Sequence, residues 1–230
     1  MGFIKGLAKL TTFTTASGLG GYWYLFREPK FVPLTRDDDY LFNSSYFKKY
    51  NPKDNSTTHD LCTRRVPLEK LDKNLLKNNG RDGKLVEAFC SSVWGGLGFA
   101  FQRHYLAQRY QNPITSHQLW DTTALRTSSY EVGTRITDHF EVVEKSPTRI
   151  IVRCGDSPLN RDVRASDGLF EMSAVVKEDE GVAEFGLKSI FFTGTGDMKG
   201  KGPMGPVIEF LHRQYDRVLI ETAVWRLMRG

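Results

Sequence analysis

The sequence predicts an α+β domain in which a curved antiparallel sheet grips a long C-terminal helix, and three observations carry that prediction. Four stretches between residues 134 and 193 alternate apolar and polar side chains and are separated by turn residues, the pattern of an antiparallel meander. Beyond Pro206, apolar rows recur at helical spacing for ~20 residues. The 230 residues, 40% apolar and 12% aromatic, are enough for one sizeable core plus an appendage.

Residues 1–30 are read as a membrane anchor or targeting segment. They hold no acid before Glu28, and an uncharged run of 17 residues extends from Leu10 to Phe26. That length sits at the lower limit for a spanning helix, and four threonines and three glycines weaken it. Tyr22, Trp23 and Tyr24 before Arg27 suit a membrane interface. The competing readings are a mitochondrial presequence, a cleaved secretory signal and a plain amphipathic arm; Gly6 breaks the myristoylation motif. Residues 31–58 read as a polar linker, part of which the interrupting Tyr40, Phe42, Tyr46 and Phe47 would let pack on the domain, and residues 59–230 as the ligand-binding domain.

Within that domain, Cys62 to Leu68 has strand composition. Leu85, Phe89, Val93, Leu97, Phe101 and Tyr105 then recur every fourth residue, a helical stripe divided by the glycines at 95, 96 and 98. The four strands that follow are Thr134–Glu144, Thr148–Cys154, Leu169–Lys177 and Val182–Thr193. Their alternation gives one apolar face and another carrying Arg149, Arg153, Glu171, Lys177, Glu184 and Lys188. The terminal helix presents one row of Val207, Leu211, Val218 and Thr222 and a neighbouring row of Ile208, Tyr215, Leu219 and Trp225, which needs the apolar sheet face as its cover.

Charge and motifs remove several function classes. Residues 1–36 carry five basic side chains against Glu28 alone, and the remainder 27 against 26, so the domain has no electrostatic footprint for nucleic acid. Cys62, Cys90 and Cys154 have no metal or redox spacing, and no nucleophile elbow, phosphate loop or HExxH motif appears. No cofactor and no metal ligand is read from the sequence.

Candidate chemistry lies where polar residues share the apolar face. Asp156 continues the row of Ile150, Val152 and Cys154 and is the expected catalytic acid or base, because a carboxylate facing an apolar cavity has its pKa raised. The competing reading of Gly155-Asp156-Ser157-Pro158 is a strand-end turn. His212, one turn after Ile208 and near Tyr215, is the second catalytic candidate, against a helix-edge histidine paired with a backbone group or Glu209. Asp138, Phe140, Phe170, Met172, Phe185 and Tyr215 are the expected ligand-binding residues.

The element order through Val66-Pro67-Leu68, Gly133-Thr134-Arg135-Ile136, Leu169-Phe170-Glu171-Met172-Ser173 and His212-Arg213-Gln214-Tyr215 resembles a group of uncharacterised domains. That group is related to the START, polyketide-cyclase and lipid-transport superfamily of helix-grip folds. The resemblance covers about residues 59–230 and implies a hydrophobic cavity between sheet and helix. It implies either a cofactor-free cyclase, dehydratase or isomerase of polyketide, terpenoid or lipid-like metabolites, or a membrane-associated lipid or isoprenoid carrier. Where the group carries a histidine before the strand at Leu169, this chain has Arg164-Ala165-Ser166-Asp167-Gly168, so no catalytic role is carried over.

Overall fold

The computed structural model describes residues 20–228. Seven strands form one open antiparallel sheet: β1 (Lys30–Phe31), β2 (Thr57–Pro67), β3 (Arg135–Ile136), β4 (Phe140–Lys145), β5 (Arg149–Cys154), β6 (Asp167–Lys177) and β7 (Val182–Phe192), in the order β1-β2-β7-β6-β5-β4-β3. The helices are α1 (Tyr40–Asn43), α2 (Ser45–Tyr50), α3 (Lys84–Trp94), α4 (Leu97–Tyr110), α5 (Thr122–Thr127) and α6 (Pro206–Leu227). The predicted meander and long terminal helix are therefore present. The first expected strand is broken at Thr137 and Asp138, which adopt left-handed φ of 49° and 52° between β3 and β4.

Two helices cover the inner face of the sheet. α3 crosses β5 and β6, and α6 crosses β2 and β7. Alternation puts Val152, Phe170, Met172, Phe185 and Leu187 on this face, where they meet Leu85, Phe89, Val93, Leu219 and Val224 from the helices. α4 reaches α6 through Gly98, where an added Cβ would lie 2.7 Å from Thr222 Oγ1 and 3.1 Å from Leu219 Cα. Only a residue without a side chain fits that crossing.

The structure corrects both helical stripes. After the break at Gly95–Gly96, α4 buries Gly98, Phe99 and Leu106, and Leu97 and Phe101 are 83% and 84% exposed. Interrupting the helix reset its phase, so the every-fourth pattern did not continue onto one face. In α6, Val207, Ile208 and Leu211 are exposed, and the covered stripe runs through Asp216, Leu219, Ile220, Ala223, Val224 and Leu227. The covered stripe therefore begins after the first turns of the helix.

The segment read as a linker is packed. Leu41, Phe42, Phe47 and Tyr50 from α1 and α2 form a second core with Ile151, Leu169, Ile190 and Phe192 on the outer face of the sheet. Those four strand residues alternate with the charged ones, and leaving them in water would forfeit ~1.5–3 kcal/mol for each fully buried side chain. Asp39 caps α1 and also reaches Lys188 at 2.6 Å, tying the segment to β7.

The expected N-terminal membrane anchor is also corrected. Among the described residues no helix is long and apolar enough to cross a membrane. Residues 20–25 are helical and dock on α6: the Tyr22 hydroxyl donates to the Gln214 carbonyl at 3.1 Å and Phe26 stacks on Trp225 at 5.7 Å. Of the aromatic cluster read as an interface belt, Tyr22 thus has an intramolecular partner, whereas Trp23 and Tyr24 are exposed. Residues 1–19, on which the rest of that expectation falls, lie outside the described residues.

Candidate functional site

The site begins with one inward row of β2: Thr58, Asp60, Cys62, Arg64 and Val66 share the inner face. Asp60 stands opposite Ser189 of β7 in the ladder, so a carboxylate and a hydroxyl occupy neighbouring places in an otherwise apolar surface. Across from them, α6 supplies His212 and Asp216, one turn apart on the same helical face. His212 Nε2 lies 3.5 Å from Asp60 Oδ2 and 3.1 Å from Asp216 Oδ2. The Phe191 ring packs edge-on against the imidazole at 4.9 Å.

Ser189, His212 and Asp216 of this cluster lie on the wall of a cavity of about 220 Å³, whose lining does not include Asp60. Trp94, Phe99, Phe140, Phe170, Phe191 and Leu219 supply most of its apolar lining, and Gln102, His139, Ser189, His212, Tyr215 and Asp216 its polar part. The Tyr215 hydroxyl is fixed by donation to Gln102 Oε1 at 2.8 Å. Ser189 Oγ and Asp216 Oδ1, and Asp60 Oδ1 beside them, are buried without a hydrogen-bond partner, while His212 Nε2 has only the two carboxylates given above. Such atoms each cost ~1–3 kcal/mol when left unsatisfied, and most buried polar groups are paired.

Electrostatics follow from this crowding. Burial alone lowers the pKa of His212, but the facing carboxylates of Asp216 and Asp60 outweigh it and raise the pKa to about 10. Asp216 is pushed up by burial and by Asp60, with His212 opposing. A histidine whose folded pKa lies above its unfolded value of ~6.5 gives stability that is full below that value and is lost as pH rises through the folded pKa. The raised Asp216 acts in the same direction at lower pH, since it too binds its proton more tightly when folded. The thermal midpoint is therefore expected to fall between pH 6.5 and about 10, and His212→Gln to flatten that slope in differential scanning calorimetry.

Of the residues predicted from sequence, His212, Tyr215, Phe140 and Phe170 line the cavity. Met172 and Phe185 are fully buried but lie in the packed core outside the cavity lining, with Phe185 against Phe89 at 5.0 Å. Asp138 is a structural clasp: it accepts from Gln118 Nε2 at 3.0 Å and Ser157 Oγ at 2.8 Å, and its amide donates to Gln118 Oε1.

Asp156 is displaced from the proposed role. It is exposed in a turn and accepts from the Ser157 amide at 2.8 Å and Asn160 Nδ2 at 3.2 Å. Burial raises its pKa, but those donors together with Arg164 and His139 bring it below the ordinary carboxylate value, the reverse of what a general acid needs. Gly155 causes the divergence: its φ of +105° turns the chain out of the strand register, so Asp156 does not continue the inward row.

The residues that sequence reasoning missed are Asp60, Asp216 and Ser189. The spacing of His212 and Asp216 is a visible i,i+4 pair, and Asp60 shares parity with Cys62 and Val66. The chain matches no protein-family model, no curated protein and no solved structure.

Proposed function

We propose that the protein binds a compact, largely apolar small molecule in the cavity between sheet and α6, in the manner of a helix-grip fold. The carrying observation is the combination of six apolar lining residues with the convergent polar atoms of Ser189, His212, Tyr215 and Asp216. Binding sites are typically apolar with a few placed polar groups that fix orientation. At about 220 Å³ the cavity falls below the ~300–1,000 Å³ of drug-sized sites, which favours a one- or two-ring molecule bearing an oxygen function over a membrane lipid.

Turnover is the reading we favour over carriage, because a buried imidazole set between two carboxylates is an arrangement suited to proton transfer and unnecessary for holding an apolar cargo. On this reading the polar cluster of Asp60, His212 and Asp216, in place of Asp156, is the end of the cavity where cyclisation, dehydration or isomerisation takes place.

1-Naphthol is a suitable probe, titrated while tryptophan emission from Trp94 in the lining is followed. Ser189→Leu removes an unpartnered hydroxyl and fills the wall from a strand position, so it is expected to fold and to weaken naphthol binding by more than tenfold. Equal binding by the two proteins would sink the cavity assignment.

A further inference from the structure

We infer that Asp60, His212 and Asp216 form a binding site for one divalent first-row transition ion, zinc and manganese being the cations to which this donor set is best matched. One imidazole nitrogen and two carboxylates offer one ligand atom each, all within 4.8 Å of one another. For zinc bonded at 2.0–2.1 Å in tetrahedral geometry, neighbouring ligand atoms lie about 3.3 Å apart. The observed separations of 3.1 Å and 3.5 Å about His212 Nε2 bracket that value.

The second, independent observation is polar satisfaction. Asp216 is 1% exposed and Asp60 7%, yet Asp60 Oδ1 and Asp216 Oδ1 have no hydrogen-bond donor, and among the described residues their second oxygens meet no cationic side chain but His212, at 3.5 and 3.1 Å. Two buried carboxylates share a single imidazole, which offsets at most one of their charges, so a divalent cation in its place would neutralise both and satisfy the unpaired oxygens as well. Glu221 shows the contrast on the same helix: its buried carboxylate receives Arg64 Nε at 2.8 Å. No arginine or lysine pairs with Asp60 or Asp216 among the described residues, although most other buried acids of the fold have such a partner.

Three protein ligands leave a coordination position open, the arrangement of catalytic rather than structural zinc. Because His212 and Asp216 line the cavity, that position faces it, and the ligand class it selects is a carbonyl, hydroxyl or carboxylate oxygen on the bound molecule. The inference goes beyond the small-molecule reading and does not depend on it, since cation binding is measured with no organic ligand present.

The test uses the full chain, stripped with chelator and dialysed, then titrated separately with ZnSO4 and MnCl2 by calorimetry and equilibrium dialysis. One equivalent of at least one cation is expected per chain. Asp216→Asn and His212→Gln should each weaken it by about a hundredfold or more, since even second-shell changes cost 10–100-fold. His104→Gln, on the exposed face of α4, should leave it unchanged. Should the buried-site variants fail to fold, the wild-type protein still decides: sub-stoichiometric Mn²⁺ should broaden the ring resonances of His212 and Phe191 before those of His104. Absence of stoichiometric binding by both cations, binding that survives both variants, or broadening that begins at His104 would each overturn the assignment. Naphthol binding without cation binding would overturn it while leaving the cavity reading intact.

Discussion

Asp167→Asn is expected to lower the unfolding free energy by about 3–5 kcal/mol, the usual cost of breaking a buried ion pair by removing one partner. Arg153 of β5 and Asp167 of β6 are diagonal neighbours across the ladder, with side chains 3% and 0% exposed. Two parallel bonds join them, Nε to Oδ1 at 2.9 Å and Nη2 to Oδ2 at 2.6 Å. Arg153 Nη2 also donates to the Asp162 carbonyl at 2.6 Å, and its guanidinium lies 3.8 Å over the Tyr50 ring. The pair therefore fastens together the sheet, the loop after β5 and the outer helix α2. Asparagine keeps the shape and removes the charge, leaving Arg153 buried with its partner lost. Urea denaturation measures the loss, and Arg153→Met combined with Asp167→Leu should recover most of it because the uncompensated charge is then gone. A single-variant loss below about 1 kcal/mol would show that water reaches the pair and screens it.

The same pair shows what local pattern can and cannot carry. Alternation correctly put Arg153 on the face opposite Val152, and it put Ile151, Leu169, Ile190 and Phe192 there too. Once four apolar residues share a face with charged ones, that face needs a cover, and Tyr40 to Tyr50 was the aromatic-bearing segment available. Reading that segment as a linker gave weight to its polar composition over its spaced aromatics. The candidate site was half legible for a different reason. His212 and Tyr215 follow from helical periodicity, whereas the meeting of Asp60 with Asp216 depends on which strand the helix crosses, a long-range fact with no local signature. Asp156 misled because strict alternation was extended through Gly155, the one residue whose left-handed φ ends it.

Trp94→Ala is expected to cost about 3–5 kcal/mol, the range for truncating a buried aromatic. It is also the change that most alters what the cavity admits. Trp94 is 2% exposed at the end of α3 and meets Phe140, Phe99 and Phe170 with ring centroids 4.6, 4.9 and 6.1 Å away. Three aromatic neighbours on two strands and a second helix cannot all collapse into the gap, so much of the removed volume should persist and add to the about 220 Å³ already there. Trp94→Phe separates packing from space. It keeps an aromatic body and removes an indole N–H that has no hydrogen-bond partner, so its loss should stay below about 1.5 kcal/mol. Under the small-molecule reading, the alanine variant, assayed by calorimetry below its lowered melting point, should bind 1-naphthol more weakly than wild type and a three-ring phenol more tightly. The phenylalanine variant should keep the wild-type order. An unchanged preference in a folded Trp94→Ala protein would mean that ligands bind elsewhere, because the wall formed by Trp94, Phe140 and Phe170 would then not be what a ligand touches.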